Sequence, residues 1–284
     1  MRTVTRIMRA LALVLVLLTL SDCRRSAEFR SLPIATTTSL AGSGLLEVLG
    51  RELKHDTGIE LHAFVVGSGQ ALQLARRGEV DVVISHDPDA ERAFVATAKP
   101  LLYRQFMWND FVIAGPPGDP ASIASSLSAV DAFTRIAASR SKFCSRGDHS
   151  GTHSKELKIW AGAHIDPTRN PGYLSMGQPM AHLLRSANEL EAYLLTDRAT
   201  FDRIGPSTSL RVLFAGDPQL KNVYAVTLVN TNPAELRNAQ VFADWLLGSR
   251  GQQVIQQFKT RGHREFWLLS EKPAAGLAEL RIEN

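Results

Sequence analysis

An α/β fold of two lobes, each a mixed sheet flanked by helices with a ligand cleft between them, is what this sequence predicts. Three observations carry that prediction. Short β-like runs alternate with amphipathic helical runs from residue 33 onward. A strand at 109–115 runs into the Pro/Gly-rich break "PPGDP", 116–120. A later strand, "LKNVYAVTLVN" at 220–230, follows a second set of helices, so the chain passes twice between two α/β units. With 284 residues, 44% hydrophobic and 21% charged, the chain is globular in composition and long enough for a core in each unit. The expected division is 33–115 plus 223–268 for lobe I, 116–222 for lobe II, and a tail from 269 to 284.

The elements follow in order. "LPIATTTS" is a β-like run ending in hydroxyls, and "GLLEVLGRELKHDTG", 44–58, has Leu45, Leu46, Leu49 and Leu53 at helical spacing, closed by Gly58. "IELHAFVVGSG" predicts the second strand and "QALQLARRGE" a second helix. "VDVVISHD" reads as a short buried strand before the polar helical run "PDAERAFVATA". Together these give the β-α-β-α-β-α order of a parallel sheet covered by helices. Helical and mixed segments at 121–142, 151–163 and 178–195 follow, and 234–258 predicts two helices joined by a turn, with Val241, Phe242, Trp245, Leu246, Val254 and Ile255 as its apolar positions.

Residues 1–23 stand apart. Arg2, Arg6 and Arg9 precede the apolar run Ala10–Leu20, which fits a secretory signal and is shorter than the roughly 20 residues that span a bilayer. "LSDC" resembles a lipoprotein cleavage site with Cys23 as the lipid acceptor, although Asp22 stands where that motif has a small residue, so a soluble and a lipidated product are both open. The expected location is the periplasm or cell surface. Only Cys23 and Cys144 occur, so no disulfide is expected in the mature chain. Net charge is +4, and without the leader +2, with no basic run interleaved with aromatics, which argues against nucleic acid.

In sheets of this kind ligands sit outside the carboxyl ends of strands, where helices begin. Three such turns share a composition: "TTTSLAGSGLL", "VVGSGQAL" and "SRGDHSGTHSKEL". Each puts Ser or Thr and Gly ahead of a helical run. Free N–H groups and the positive end of the helix dipole favour an anion there, and Gly allows close approach. Ser and Thr are also ordinary N-caps, so a single turn of this kind says little; three in one chain point to convergence on one anion. Arg146 supplies a positive charge suited to bidentate contact with oxygens.

Rival motifs fail on counting. "GSGLLE" and "GSGQAL" lack the third glycine of a dinucleotide turn, and neither a phosphate-binding P-loop nor a G-x-S-x-G elbow occurs. His149 and His153 have the i, i+4 spacing of a zinc helix, but Ser150 stands where the general base belongs, and His149 is expected to precede the helix. No metal, cofactor or catalytic residue is expected. A secreted hydrolase using Ser150 with His149 or His153 remains the reading from another class.

At these same turns the chain resembles the tungstate-binding proteins of bacterial ABC importers, type II periplasmic solute-binding proteins related to the molybdate- and phosphate-binding proteins. The resembling stretches also include "RRGEVDVVISHDPDAE", "FMWNDFVIAGPPGDP", "AYLLTDRATF" and "AGDPQLKNVYAVTLVN", spanning about residues 34 to 268. The resemblance implies a monomer whose lobes close over a tetrahedral dianion, tungstate or molybdate, and hand it to a membrane permease. It places Thr37, Thr38 and Ser39, then Ser68 with the Gly67 and Gly69 backbone, and then Arg146, Ser150, Gly151 and Thr152 at the anion. Thr196 and Arg198 would border the cleft or belong to a structural loop, and Asp148 would orient Arg146. Leu40, Gly42 and Pro179 depart from the family pattern. Phosphate or sulfate is the alternative ligand, with Asp148 as the candidate acceptor for a phosphate proton, and a sensor in place of a transporter is also open.

Overall fold

The computed structural model describes residues 31–229 and 233–270. The leader, Cys23 and the tail beyond 270 lie outside the described residues. The framework begins with strand β1 (Ser31–Thr37), helix α1 (Thr38–Ser43), α2 (Leu45–Thr57), β2 (Glu60–Val66), α3 (Ser68–Arg76), β3 (Val82–Ser85) and α4 (Pro88–Ala98). β1 pairs in parallel with both β2 and β3, as the alternation predicts. The short α1 was not anticipated: its residues were read as the turn before the helix at 44–58, and Gly44, with a φ of 88°, separates it from α2.

β4 (Leu102–Gly115) is 14 residues long and belongs to two sheets. The rest of the chain supplies α5 (Ala129–Ala138), β5 (Phe143–Ser145), α6 (Gly151–Gly162), β6 (Tyr173–Ser175), α7 (Met180–Leu190), β7 (Leu194–Asp197), α8 (Arg198–Ile204), β8 (Arg211–Phe214), β9 (Lys221–Leu228), α9 (Pro233–Leu247) and α10 (Ser249–Gln257). Three two-residue strands follow: β10 (Lys259–Thr260), β11 (His263–Arg264) and β12 (Trp267–Leu268). Antiparallel β9 joins β3 to β4, giving the order β12-β4-β9-β3-β1-β2. Through Asp110, β4 pairs with β9; from Phe111 it pairs with β7, and from Ile113 also with β8. The passage between the lobes therefore falls inside a continuous strand, ahead of the Pro/Gly-rich break. That break instead folds over the second lobe, where the Asp119 carboxylate accepts from the Tyr193 hydroxyl at 2.7 Å and from the Ile123 N–H at 3.0 Å.

Strand alternation divides each core into two faces. In the first lobe Leu32, Ile34, Val82 and Ile84 meet the leucines of α2 and the apolar faces of α9 and α10, while Ala35 and Val83 meet α3 and Phe94 of α4. In the second, Phe111 and Ile113 meet α5 and α6, while Val112 and Ala114 meet α7 and Phe201 of α8. Val241 faces outward instead of into the core. Edge strand β2 leaves Phe64 and Val65 partly exposed. Cys144 is a buried thiol raised by that burial to about 11.

Phe133 of α5 is fully buried between Phe143 and Trp160, with ring centroids 5.1 and 4.4 Å away. Phe133→Ala is expected to destabilise the chain by about 3–5 kcal/mol, because such a cavity is only partly refilled. Urea denaturation measures this; a loss below about 1 kcal/mol would contradict the packing.

Candidate anion-binding site

Five strand-to-helix turns converge where the lobes meet: the three hydroxyl-rich turns, the Thr196–Arg198 turn expected as a cleft border, and the β3–α4 turn. In four of them a side chain caps the helix that follows, from Thr37, Asp87, Ser150 and Asp197. Thr37 caps α1, its Oγ1 accepting from the Leu40 N–H at 3.2 Å. Ser150 caps α6, its Oγ accepting from the His153 N–H at 3.3 Å. Gly67 precedes α3, and the buried Ser68 Oγ accepts from the His86 N–H at 3.3 Å. In all three cases the hydroxyl accepts from a backbone N–H, so its own proton remains to be donated elsewhere.

Arg146 lies on the turn from β5 to α6 and is 1% exposed. Its Nη2 donates to Thr38 Oγ1 across the cleft at 3.3 Å and to Asp148 Oδ2. The other Asp148 oxygen accepts from the Ser150 N–H at 3.2 Å, so one carboxylate braces both the arginine and the cap. Nε and Nη1 of Arg146, and Oγ1 of the fully buried Thr152, have no hydrogen-bond partner among the described residues. A buried charge with two unpaired nitrogens is costly unless something anionic meets it. Ser39 is buried with its carbonyl accepting from Thr200 Oγ1 at 3.4 Å.

Two glycines set how closely the lobes approach. A Cβ on Gly151 would lie 2.7 Å from His86 Nδ1 and 2.8 Å from the His86 carbonyl, and one on Gly67 would lie 3.3 Å from Ser150 Cα. Gly69 faces the His149 carbonyl. Around them the lobes are tied by Ser154 Oγ donating to Asp87, by the Lys158–Asp89 ion pair, and by Arg203 donating to the carbonyls of Ala41 and Gly42.

The β3–α4 turn carries His86 and Asp87, and the β7–α8 turn adds Asp197 between the expected Thr196 and Arg198. His86 packs against Tyr224 at 4.9 Å and Phe111 at 6.1 Å. Burial holds its imidazole down to about 4; Asp87 and a hydrogen bond to Asn222 oppose this, and Arg146 and Lys155 add to it. The imidazole is therefore neutral at physiological pH. Asp197 caps α8 through its bond from the Thr200 N–H at 2.9 Å, and its Oδ2 is buried without a partner among the described residues. Burial raises its carboxyl to about 6. Thr196 is buried at the end of β7 and donates to the Asp197 carbonyl at 3.2 Å, and Arg198 opens α8. For His86 and Asp87 the sequence signal was their place after a strand, and for Asp197 its place between Thr196 and Arg198; acids and a histidine argue against an anion by type.

His149, with a φ of 56°, precedes α6, and its N–H donates to His153 Nδ1 at 3.1 Å. Among the described residues no group of three or more His, Cys, Asp or Glu could hold a metal. Ser150 Oγ meets a backbone amide and not an imidazole.

Comparisons with known proteins show the family and the fold. A family profile described as a PBP superfamily domain matches residues 29–250. The tungstate-binding protein TupA of Peptoclostridium acidaminophilum is 39% identical over 233 residues, covering 80% of this chain and 81% of that protein. The crystal structure of the tungstate ABC transporter from Geobacter sulfurreducens superposes with a TM-score of 0.74 at 38% identity, covering 80% of this chain and 98% of that one. The tungstate-binding protein TupA from Desulfovibrio alaskensis G20 gives 0.71 at 36% identity, over 85% and 99%.

His86 offers a direct test. Its depressed value means that the stability it contributes is fully present above pH 6.5 and is lost as pH falls through about 4. The gap corresponds to about 3 kcal/mol. NMR titration of the His86 ring is expected to show a neutral imidazole at pH 6; titration near 6.5 would contradict its burial.

Proposed function

The chain belongs to the PBP superfamily, and from that premise we propose that it is an extracytoplasmic binding protein that captures a tetrahedral oxyanion, tungstate or molybdate, and delivers it to an ABC import permease. The observation that carries the reading is the buried Arg146 guanidinium with Nε and Nη1 unpartnered. An oxyanion beside it accepts from one of those nitrogens, from the Ser150 and Thr152 hydroxyls, and from backbone N–H groups at the start of α6, including that of Gly151. Thr37, Thr38, Ser39, Ser68 and the Gly69 backbone close on it from the facing lobe. Thr196 and Arg198 border the cleft, and Asp148 supports Arg146 without touching the ligand. In this reading the chain is a monomer without catalytic residues, exported to the periplasm or cell surface, with Cys23 as a candidate lipid anchor. Lobe I comprises 33–110 with 221–268, and lobe II 111–220, the boundary expected at 115 moving to the change of partner within β4.

The orientation of the hydroxyls supports tungstate or molybdate over a protonated oxyanion. Thr37, Ser68 and Ser150 each accept from a backbone amide and so turn donors toward the ligand. A fully deprotonated dianion accepts from all of them, whereas hydrogen phosphate brings a donor of its own. Asp148 is already engaged by Arg146 and Ser150, but the unpartnered Asp197 Oδ2 could receive such a proton, which makes phosphate the competing ligand.

Calorimetric titration of the purified mature protein with tungstate, molybdate, phosphate and sulfate is expected to show tight binding of tungstate and weak binding of phosphate. No heat with any of the four would overturn the reading. Arg146→Ala is expected to weaken tungstate binding by about 2 kcal/mol or more, roughly thirty-fold, as for loss of one partner of a buried charge pair. Unchanged affinity would remove Arg146 from the site.

A further inference from the structure

Glu156 of α6 is 1% exposed and plays no part in the contacts described so far. Tyr173 of β6 donates to its Oε1 at 2.9 Å and sits 2.8 Å from Ser145 Oγ. The Ser145 hydroxyl and the Arg146 backbone N–H also meet this carboxyl. Ser145 Oγ in turn accepts from the Gly147 N–H at 3.2 Å. These bonds all land on Ser145, Arg146 and Gly147, the backbone from which the guanidinium projects. A leucine or methionine would fill comparable space but leave the amide and the serine without an acceptor.

The first lobe uses the same device. Glu91 of α4, also 1% exposed, accepts from Ser85 Oγ at 2.7 Å, from the Asp87 N–H at 3.1 Å and from the Tyr103 hydroxyl at 2.9 Å. A strand-final serine, a turn amide and a tyrosine from another strand converge on a buried helical glutamate in both lobes. The two turns so held are the ones joined across the cleft by Asp87 and Ser154. Two unrelated stretches of sequence arriving at one arrangement, each behind a cleft-facing turn, tie the carboxyl to the turn's geometry.

We propose that Glu156 is a positioning residue for the anion, holding the Arg146 backbone in place and coupling anion affinity to pH through its own proton. This rests on the oxyanion reading above. The groups facing it are Ser145 and Cys144 from β5, Arg146 from the turn, Tyr173 from β6 and Trp160 from its own helix. Burial raises the carboxyl to about 7 against the hydrogen bonds it accepts from Ser145, Tyr173 and the Arg146 backbone. A dianion at the start of α6 lies five residues from Glu156, about 7–8 Å along the helix axis. Its negative charge favours the protonated carboxyl, so binding takes up a proton and affinity falls as pH rises through about 7.

The test is titration calorimetry with sodium tungstate from pH 6.5 to 8.5, in pairs of buffers with different heats of ionisation. Wild type is expected to take up a fraction of a proton near pH 7 and to lose three- to ten-fold in affinity across the range. Glu156→Gln, a neutral stand-in for the protonated carboxyl that keeps an acceptor, is expected to hold at every pH an affinity near that of wild type at pH 6.5, with no proton uptake near pH 7. Glu156→Leu, which leaves the Arg146 amide and Ser145 without an acceptor, is expected to bind about ten-fold more weakly. Tyr173→Phe keeps the carboxyl but removes a donor, and is expected to move the fall in affinity to higher pH; it decides the matter if Glu156→Gln does not fold. A wild type that binds tungstate with a flat profile, a Glu156→Gln protein with wild-type affinity and slope, or a Tyr173→Phe profile that does not move overturns this inference alone. A wild type that binds no tungstate overturns the oxyanion reading with it.

Discussion

A guanidinium sealed from water with two of its nitrogens unpaired is the constraint on which the rest of this structure depends. Arg146 cannot shed its proton, so its burial has to be offset by neighbours. Asp148 supplies one negative partner and Thr38 one neutral acceptor, but both converge on Nη2. The remaining nitrogens have no partner among the described residues, and Arg146 stands just ahead of α6, where N–H groups and the helix dipole add positive potential. Positive groups gathered in one dry place repel each other, and an anion turns that repulsion into attraction.

Closeness of the lobes is the second requirement, and it is met by absence of side chains more than by their presence. Gly151 lets α6 reach the His86 carbonyl and ring, and Gly67 lets the α3 turn reach Ser150. Polar ties then gather at the rim, from Asp87 to Ser154 and from Asp89 to Lys158. His86 fits this crowded place because burial beside Arg146 and Lys155 keeps it neutral. A second cation there would oppose closure.

Much of this was legible in the chain. The leucines of α2, the strand "VVIS" and the hydroxyl-rich turns follow from periodicity and from the preference of Ser and Thr for helix starts. The role of Asp148 as a brace for Arg146 was legible too, since an acid two residues from an arginine would repel an oxyanion but can hold a guanidinium. What sequence concealed was set by pairing across long separations. The change of partner at Asp110 and Phe111 leaves no compositional mark, because Phe111 to Ala114 alternate as any strand buried on both faces would. The β3–α4 turn was obscured for a different reason. Its His86 and Asp87 look unsuited to an anion by type, and their contributions come through a backbone amide, a lobe contact and a suppressed charge.

The sharing of β4 between two sheets has a mechanical meaning. Its first part is laddered to β9 and its last part to β7 and β8, so no hydrogen-bonded register has to break for one sheet to rotate against the other. Such a rotation is taken up as twist along one strand, spread over the backbone dihedrals near Asp110 and Phe111. A strand used in this way would act as a torsion bar, with the return of the chain at β9 beside it confining the two sheets to one arc at whose closed end Thr38 meets Arg146.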